Sequence, residues 1–258
     1  MIWLYDGGWE GLLTAVFQVF AQKDNEASIC PQQRFPGGSL FPVHTVAADP
    51  ARAGRVARGM ARLSPQLPRV AYRAFLSERP AFEDALLGTL RLGFARHIDP
   101  LPLRHTEPVR RLHRLSEEVT RELVLFMGII RLVHAEDDLY VADIEPDTFV
   151  LPLLGRHFHG RFGAQRLIIR DLKRRLALVS TPVEWLIAAL PDGPLPPLPE
   201  DRTIGDMWCA YFAAIANPAR RTPALQRRFV PTRYRLHITE FENLPSSGGT
   251  PPSPSDES

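Results

Sequence analysis

Ile2-Trp3-Leu4-Tyr5 is an unbroken apolar, β-prone run that stops at Asp6-Gly7-Gly8. Leu12, Leu13, Val16, Phe17 and Phe20 then recur at helical spacing, so the chain opens as strand, glycine turn, helix. Periodicity fades over 23–48, where Pro31, Gly37-Gly38 and Pro42 predict an irregular connection with a short strand at Val43–Val46. Asp49-Pro50 is a helix start, a capping acid followed by proline at the first helical position. Val56, Met60 and Leu63 mark its buried face, and Ser64-Pro65 ends it. Helices are also predicted over about 68–77 and 80–95. Thr106-Glu107-Pro108 opens the longest one, whose stripe runs Leu112, Leu115, Val119, Leu123, Phe126, Ile130 and Val133.

Beyond it the period changes from that of a helix to that of a strand. Leu139–Ile144 alternates, Glu145-Pro146-Asp147 turns the chain, and a helix follows to about Phe158. Arg166–Arg170 and Leu176–Ser180 are further strands. Pro191, Pro194, Pro196, Pro197 and Pro199 predict a stiff linker before a helix at about 203–216. From Asn243 onward serine, proline and glycine dominate without apolar anchors, which predicts a disordered tail. The expected fold is α+β, a mainly helical single domain over 1–241 with a small β-sheet, and a disordered segment over 242–258.

Composition narrows the function classes. With 45% hydrophobic and 23% charged residues the chain is ordinary for a globular protein. Its two cysteines, Cys30 and Cys209, exclude a disulfide framework, a four-cysteine zinc site and a cysteine-held iron–sulfur cluster. No basic leader or membrane-length apolar run is present, so a cytoplasmic protein without membrane attachment is expected. Net charge is only +2, but of the 31 basic residues just Lys23 and Lys173 are lysine. Arginine forms planar bidentate contacts with phosphate that lysine cannot, so the position of these residues matters more than their number.

Two basic segments stand out. Between Ala216 and Thr239 lie Arg220, Arg221, Arg227, Arg228, Arg233 and Arg235 with no acid, interleaved with Phe229, Tyr234 and His237. Guanidinium groups there can neutralise phosphates while the aromatics stack on exposed bases; a solvated basic segment with its rings in the core is the competing reading. A second group, Arg156, Arg161, Arg166, Arg170, Lys173, Arg174 and Arg175, is interrupted only by Asp171. Asp6-Gly7-Gly8 lacks both the dinucleotide glycine spacing and a P-loop lysine, which favours a turn or cap role for Asp6. His157 and His159 diverge on a helix and have no third ligand, so no metal site is read. No cofactor is expected.

The runs Tyr5-Asp6-Gly7-Gly8-Trp9-Glu10-Gly11, Tyr72-Arg73-Ala74-Phe75-Leu76-Ser77 and Tyr140-Val141-Ala142-Asp143-Ile144-Glu145-Pro146 resemble a prokaryotic family of DNA-metabolism or DNA-repair proteins, that of the DUF4130 domain. Leu151-Pro152-Leu153-Leu154, His157-Phe158, Arg161, Trp208, Tyr211 and Arg233-Tyr234 continue the resemblance. It implies a DNA repair or modification role beside a radical-SAM protein, and in some members fusion to a uracil-DNA glycosylase domain. The chain lacks the cysteine run of the first and the catalytic motifs of the second, so neither chemistry is assigned to it. The expected function is a DNA-binding accessory protein, with Arg73, Arg161, Arg227, Arg228, Arg233 and Tyr234 as contacts. The alternatives are a DNA-processing hydrolase or lyase using Asp6, Glu10, His157 and Asp171, and a protein-interaction scaffold.

Overall fold

The computed structural model describes residues 1–136 and 138–191, together with Gly193, Pro194 and Leu198. Within them the fold is α+β and mainly helical, and its strands form two small sheets. Internal packing divides the chain into two compact units, one of residues 1–124 with 147–150, the other of residues 125–146 and from 151 onward. The expected helix at 203–216, the tail over 242–258 and most of the proline linker lie outside the described residues.

In the first unit, β1 (Ile2–Tyr5) is the centre of a parallel sheet in the order β2-β1-β3, with β2 at Ser28–Pro31 and β3 at Val43–Thr45. Tyr5 is paired with Pro31, and Leu4 with Thr45. A central parallel strand is covered on both faces, which is why Trp3, Leu4 and Tyr5 are apolar in succession rather than alternating. α1 (Trp9–Ala21) crosses from β1 to β2 and buries Leu12, Leu13, Val16 and Val19. β2 escapes a periodicity reading because it is four residues long and ends in Pro31; an edge position tolerates that proline.

α2 (Pro50–Leu63) starts where expected. The Asp49 carboxylate accepts from the Ala51 and Arg52 amides at 2.9 and 3.1 Å, beside proline at the first position. α3 (Leu67–Phe75) and α4 (Phe82–Arg96) complete the cover, with Met60, Leu67, Leu86, Leu87 and Leu90 in the core. α5 (Glu107–Ile129) buries Val109, Leu112, Leu115 and Val119. Its stripe ends sooner than the spacing suggests: Ile130 lies beyond the helix and Val133 begins a strand. The Arg131 guanidinium donates to the Gly128 carbonyl at 3.1 Å, satisfying an acceptor at that helix end. Glu122, on α5, is 8% exposed and grips the segment 147–148, accepting from the Asp147 and Thr148 amides at 2.7 Å each.

The second unit has a five-stranded sheet in the order β4-β5-β6-β7-β8. The strands are β4 (Val133–Glu136), β5 (Leu139–Ile144), β6 (Arg166–Asp171), β7 (Leu176–Ser180) and β8 (Trp185–Ala189). β5 and β6 are parallel, joined through α6 (Leu151–Arg161), and the other pairs are antiparallel. Within this unit the sequence pattern leaves out β4 and β8. β4 is masked by continuation of the α5 stripe, and β8 is a plain apolar run without alternation.

Candidate functional site

The glycine turn after β1 sets the geometry of the first unit. Gly7 has φ +90°, a conformation open to glycine at little cost. Asp6 accepts from the Gly8 amide at 2.9 Å through its carboxylate, and its carbonyl accepts from Gln33 Nε2 at 2.8 Å. The carboxylate sits over the first turn of α1, where the free amides favour negative charge. A Cβ on Gly11 would lie 2.1 Å from Asp6 Oδ1, so a glycine one turn into the helix leaves room for that side chain.

Directly behind this turn the end of β1 meets the start of α4. Tyr5 Oη donates to Glu83 Oε1 at 2.8 Å, and an Arg34 Nη donates to the same oxygen at 2.5 Å. Glu83 is 4% exposed, so its carboxylate is held in the interior by one hydroxyl and one guanidinium. Burial pushes the Tyr5 phenol far above its ordinary range, and the Glu83 charge and hydrogen bond add to this against a smaller opposing effect of Arg34. The Cys30 thiol is raised too, first by burial and then by Glu83.

Tyr5, Arg34 and Glu83 border a cavity of about 570 Å³. It opens at the carboxyl ends of β1 and β2, beside the glycine turn that leads into α1. Its apolar wall is aromatic. Trp9 meets Tyr72 edge-on at 5.4 Å and Phe75 at 5.3 Å, and Phe75 meets Phe82 at 5.9 Å. Trp9, Tyr72 and Phe75 are half-buried, as is Phe149 on the same lining. Burial raises the Tyr72 phenol. Arg79 also lines the cavity and donates to Glu118, which holds its guanidinium above the usual value.

The residues singled out from the sequence fall in several places. Asp6 lines the cavity; Glu10 is exposed on the first turn of α1 and does not. Arg73, on α3, donates to Thr120 Oγ1 at 3.1 Å, and burial with the neighbouring Arg69 charge lowers it. His157 and Asp171 belong to the second unit, so neither unit alone contains all four of Asp6, Glu10, His157 and Asp171. Asp171 is fully buried and accepts from the Arg174 guanidinium at 2.9 Å and from its amide at 3.1 Å. His157 Nε2 is buried without a hydrogen-bond partner among the described residues, its ring edge-on to Phe158. Arg161 is exposed with its guanidinium 5.7 Å from the Phe162 ring. Arg227, Arg228, Arg233 and Tyr234 lie outside the described residues.

Within the second basic group, acids do more than the sequence suggests. Asp143 faces Arg170 across the β5–β6 register and takes its guanidinium at 2.5 and 2.8 Å. Arg174 is committed to Asp171 and the Pro146 carbonyl, and Arg175 to the carbonyls of Pro191 and Gly193. These three arginines are structural. Among the described residues no three His, Cys, Asp or Glu side chains come together to hold a metal ion.

A basic face that apolar spacing alone does not reveal lies on α2. Arg55, Arg58 and Arg62 are exposed, and none forms an ion pair with a described acid. At 3.6 residues per turn they fall within an arc of roughly 60° and span about 10 Å of helix. Arg55 lies 5.1 Å from the Phe17 ring, which steadies its guanidinium. Arg52 borders the same face but pairs with Asp49 at 3.1 Å. The signal was present in the sequence: four arginines and no acid across Pro50–Leu63.

The described residues therefore make an α+β protein with an aromatic-walled cavity at the carboxyl ends of β1 and β2 and an unneutralised arginine face. Among them no helix is long and apolar enough to cross a membrane. The chain belongs to the DUF4130 family, a domain of unknown function, which it matches over residues 80–240. That span includes Phe82, Glu83 and Phe149 of the cavity, while β1, α1, α2 and α3 precede it. No curated protein matches the chain.

Proposed function

We propose that this protein is a nucleic-acid-binding accessory factor of DNA repair or modification, working in the cytoplasm beside a radical-SAM partner. The observation that carries the nucleic-acid part is the face formed by Arg55, Arg58 and Arg62, exposed and without acidic partners among the described residues. Guanidiniums neutralised internally, like those of Arg170 and Arg174, have little left to offer a phosphate; these three keep their donors. Each phosphate neutralised releases condensed counterions and adds affinity independent of sequence. Arg73, Arg161, Arg227, Arg228, Arg233 and Tyr234 are further proposed contacts. The partner is proposed from the resemblance of the sequence motifs alone, and a uracil-DNA glycosylase-type domain is a second candidate for that place.

Fluorescence anisotropy with a labelled duplex and the matching single strand tests the reading. Replacing Arg55, Arg58 and Arg62 by glutamine is expected to weaken binding by about tenfold or more at low salt. The control replaces two arginines that are already paired, Arg104 with Glu117 and Arg111 with Glu107, and should change affinity far less per charge removed. Equal loss per charge in both variants, or none in the first, contradicts the assignment. Co-elution of the tagged chain with a radical-SAM protein from its own cells tests the partner; its absence from the eluate would contradict it.

A further inference from the structure

The geometry points to the first-unit cavity as a receptor for a single nucleobase, taken in with its phosphate left outside. This deepens the nucleic-acid reading and rests on it for the choice of a base among planar ligands. Three features of the cavity carry it. Its volume of about 570 Å³ lies in the range of pockets that enclose small molecules and exceeds what one base needs. Trp9, Tyr72, Phe75 and Phe149 are only half-buried, so rings that would interleave in a finished core leave aromatic surface on a void. Such surfaces hold planar heteroaromatic rings irrespective of sequence.

Charge then decides which part of a nucleotide enters. The lining carries the carboxylates of Asp6, Glu78 and Glu83 against the guanidiniums of Arg34 and Arg79, so acids outnumber bases. The start of α1 is no anion site, because the Asp6 carboxylate already accepts the Gly8 amide there. A phosphate at that turn would meet Asp6 head on. A neutral base meets no such penalty. Arg34 is 39% exposed on its side chain, and its donors beyond those given to Glu83 can reach the carbonyl or ring-nitrogen acceptors of a base edge. Glu83 fixes that guanidinium, which makes it a positioning residue rather than a direct contact.

The test is calorimetric titration of the full chain with adenosine, guanosine, cytidine and uridine, and with their 5′-monophosphates. At least one nucleoside should bind, its monophosphate should bind no tighter, and Tyr72→Leu or Phe75→Leu should weaken it by at least about fivefold. The α2 glutamine variant should bind nucleosides as the unaltered protein does, which separates failure of this site from failure of the DNA-binding face. If the cavity variants do not fold, hydrogen exchange of the unaltered protein decides: a saturating nucleoside should slow exchange in residues 5–9 and 72–79. Absence of binding and protection, no effect in a folded variant, or a monophosphate preferred tenfold would overturn the proposal.

Discussion

Tyr5 joins the sheet to α4 through a single oxygen of Glu83, and that hydrogen bond has consequences beyond the cavity. A hydrogen bond to a buried carboxylate contributes about 1.5–3 kcal/mol, so Tyr5→Phe should lower the urea-unfolding free energy by about that much at neutral pH. The same residue sets the alkaline limit. Its folded phenol is held well above the ordinary value near 10, mainly by burial, so in that range the folded form keeps a proton that the unfolded chain has lost. Stability from this source is intact below about pH 10 and falls as pH rises further. Tyr5→Phe should flatten that decline, leaving the part due to Tyr72, which burial also raises. An unchanged alkaline slope in the variant would contradict the arrangement. The sequence carries no sign of this pair: Tyr5 and Glu83 are 78 residues apart, and a buried glutamate on α4 looks like any early-helix acid.

Among the elements, the strongest constraint in the second unit is the seating of α6. A Cβ on Gly155 would stand 2.5 Å from Trp185 Cε3 of β8. Gly155→Ala should therefore destabilise by about 1–3 kcal/mol through overpacking, with altered Trp185 fluorescence, whereas Gly160→Ala, which meets nothing, should be neutral or mildly stabilising. Equal thermal stability of the two variants would show that Trp185 moves aside freely. The long amphipathic elements were legible: α2 with its cap, α5 at its start, β5 and β7 at both ends. β2 and β8 were not, because a short edge strand or a plain apolar run has no period to detect. The arginine face of α2 was present in the sequence but overshadowed by the apolar positions Val56 and Met60; charge, not hydropathy, distinguishes it.

Across the whole molecule, acids and bases nearly cancel, with a formal net charge of +2. Attraction to a polyanion must then come from where guanidiniums are left unmatched rather than from overall sign. On the second sheet the register sets Asp143 against Arg170, and Arg174 closes on Asp171. The acid-free face of α2 is different in kind. The sequence pointed to the C-terminal arginines for this role, since contiguity is visible in a string of letters and a helical arc is not. If α2 binds DNA, the logarithm of the association constant should fall linearly with the logarithm of salt concentration. The glutamine variant of Arg55, Arg58 and Arg62 should lessen that slope by roughly 0.9 for each phosphate it no longer neutralises, or about 2–3 in all. Identical slopes for the two proteins would contradict the account.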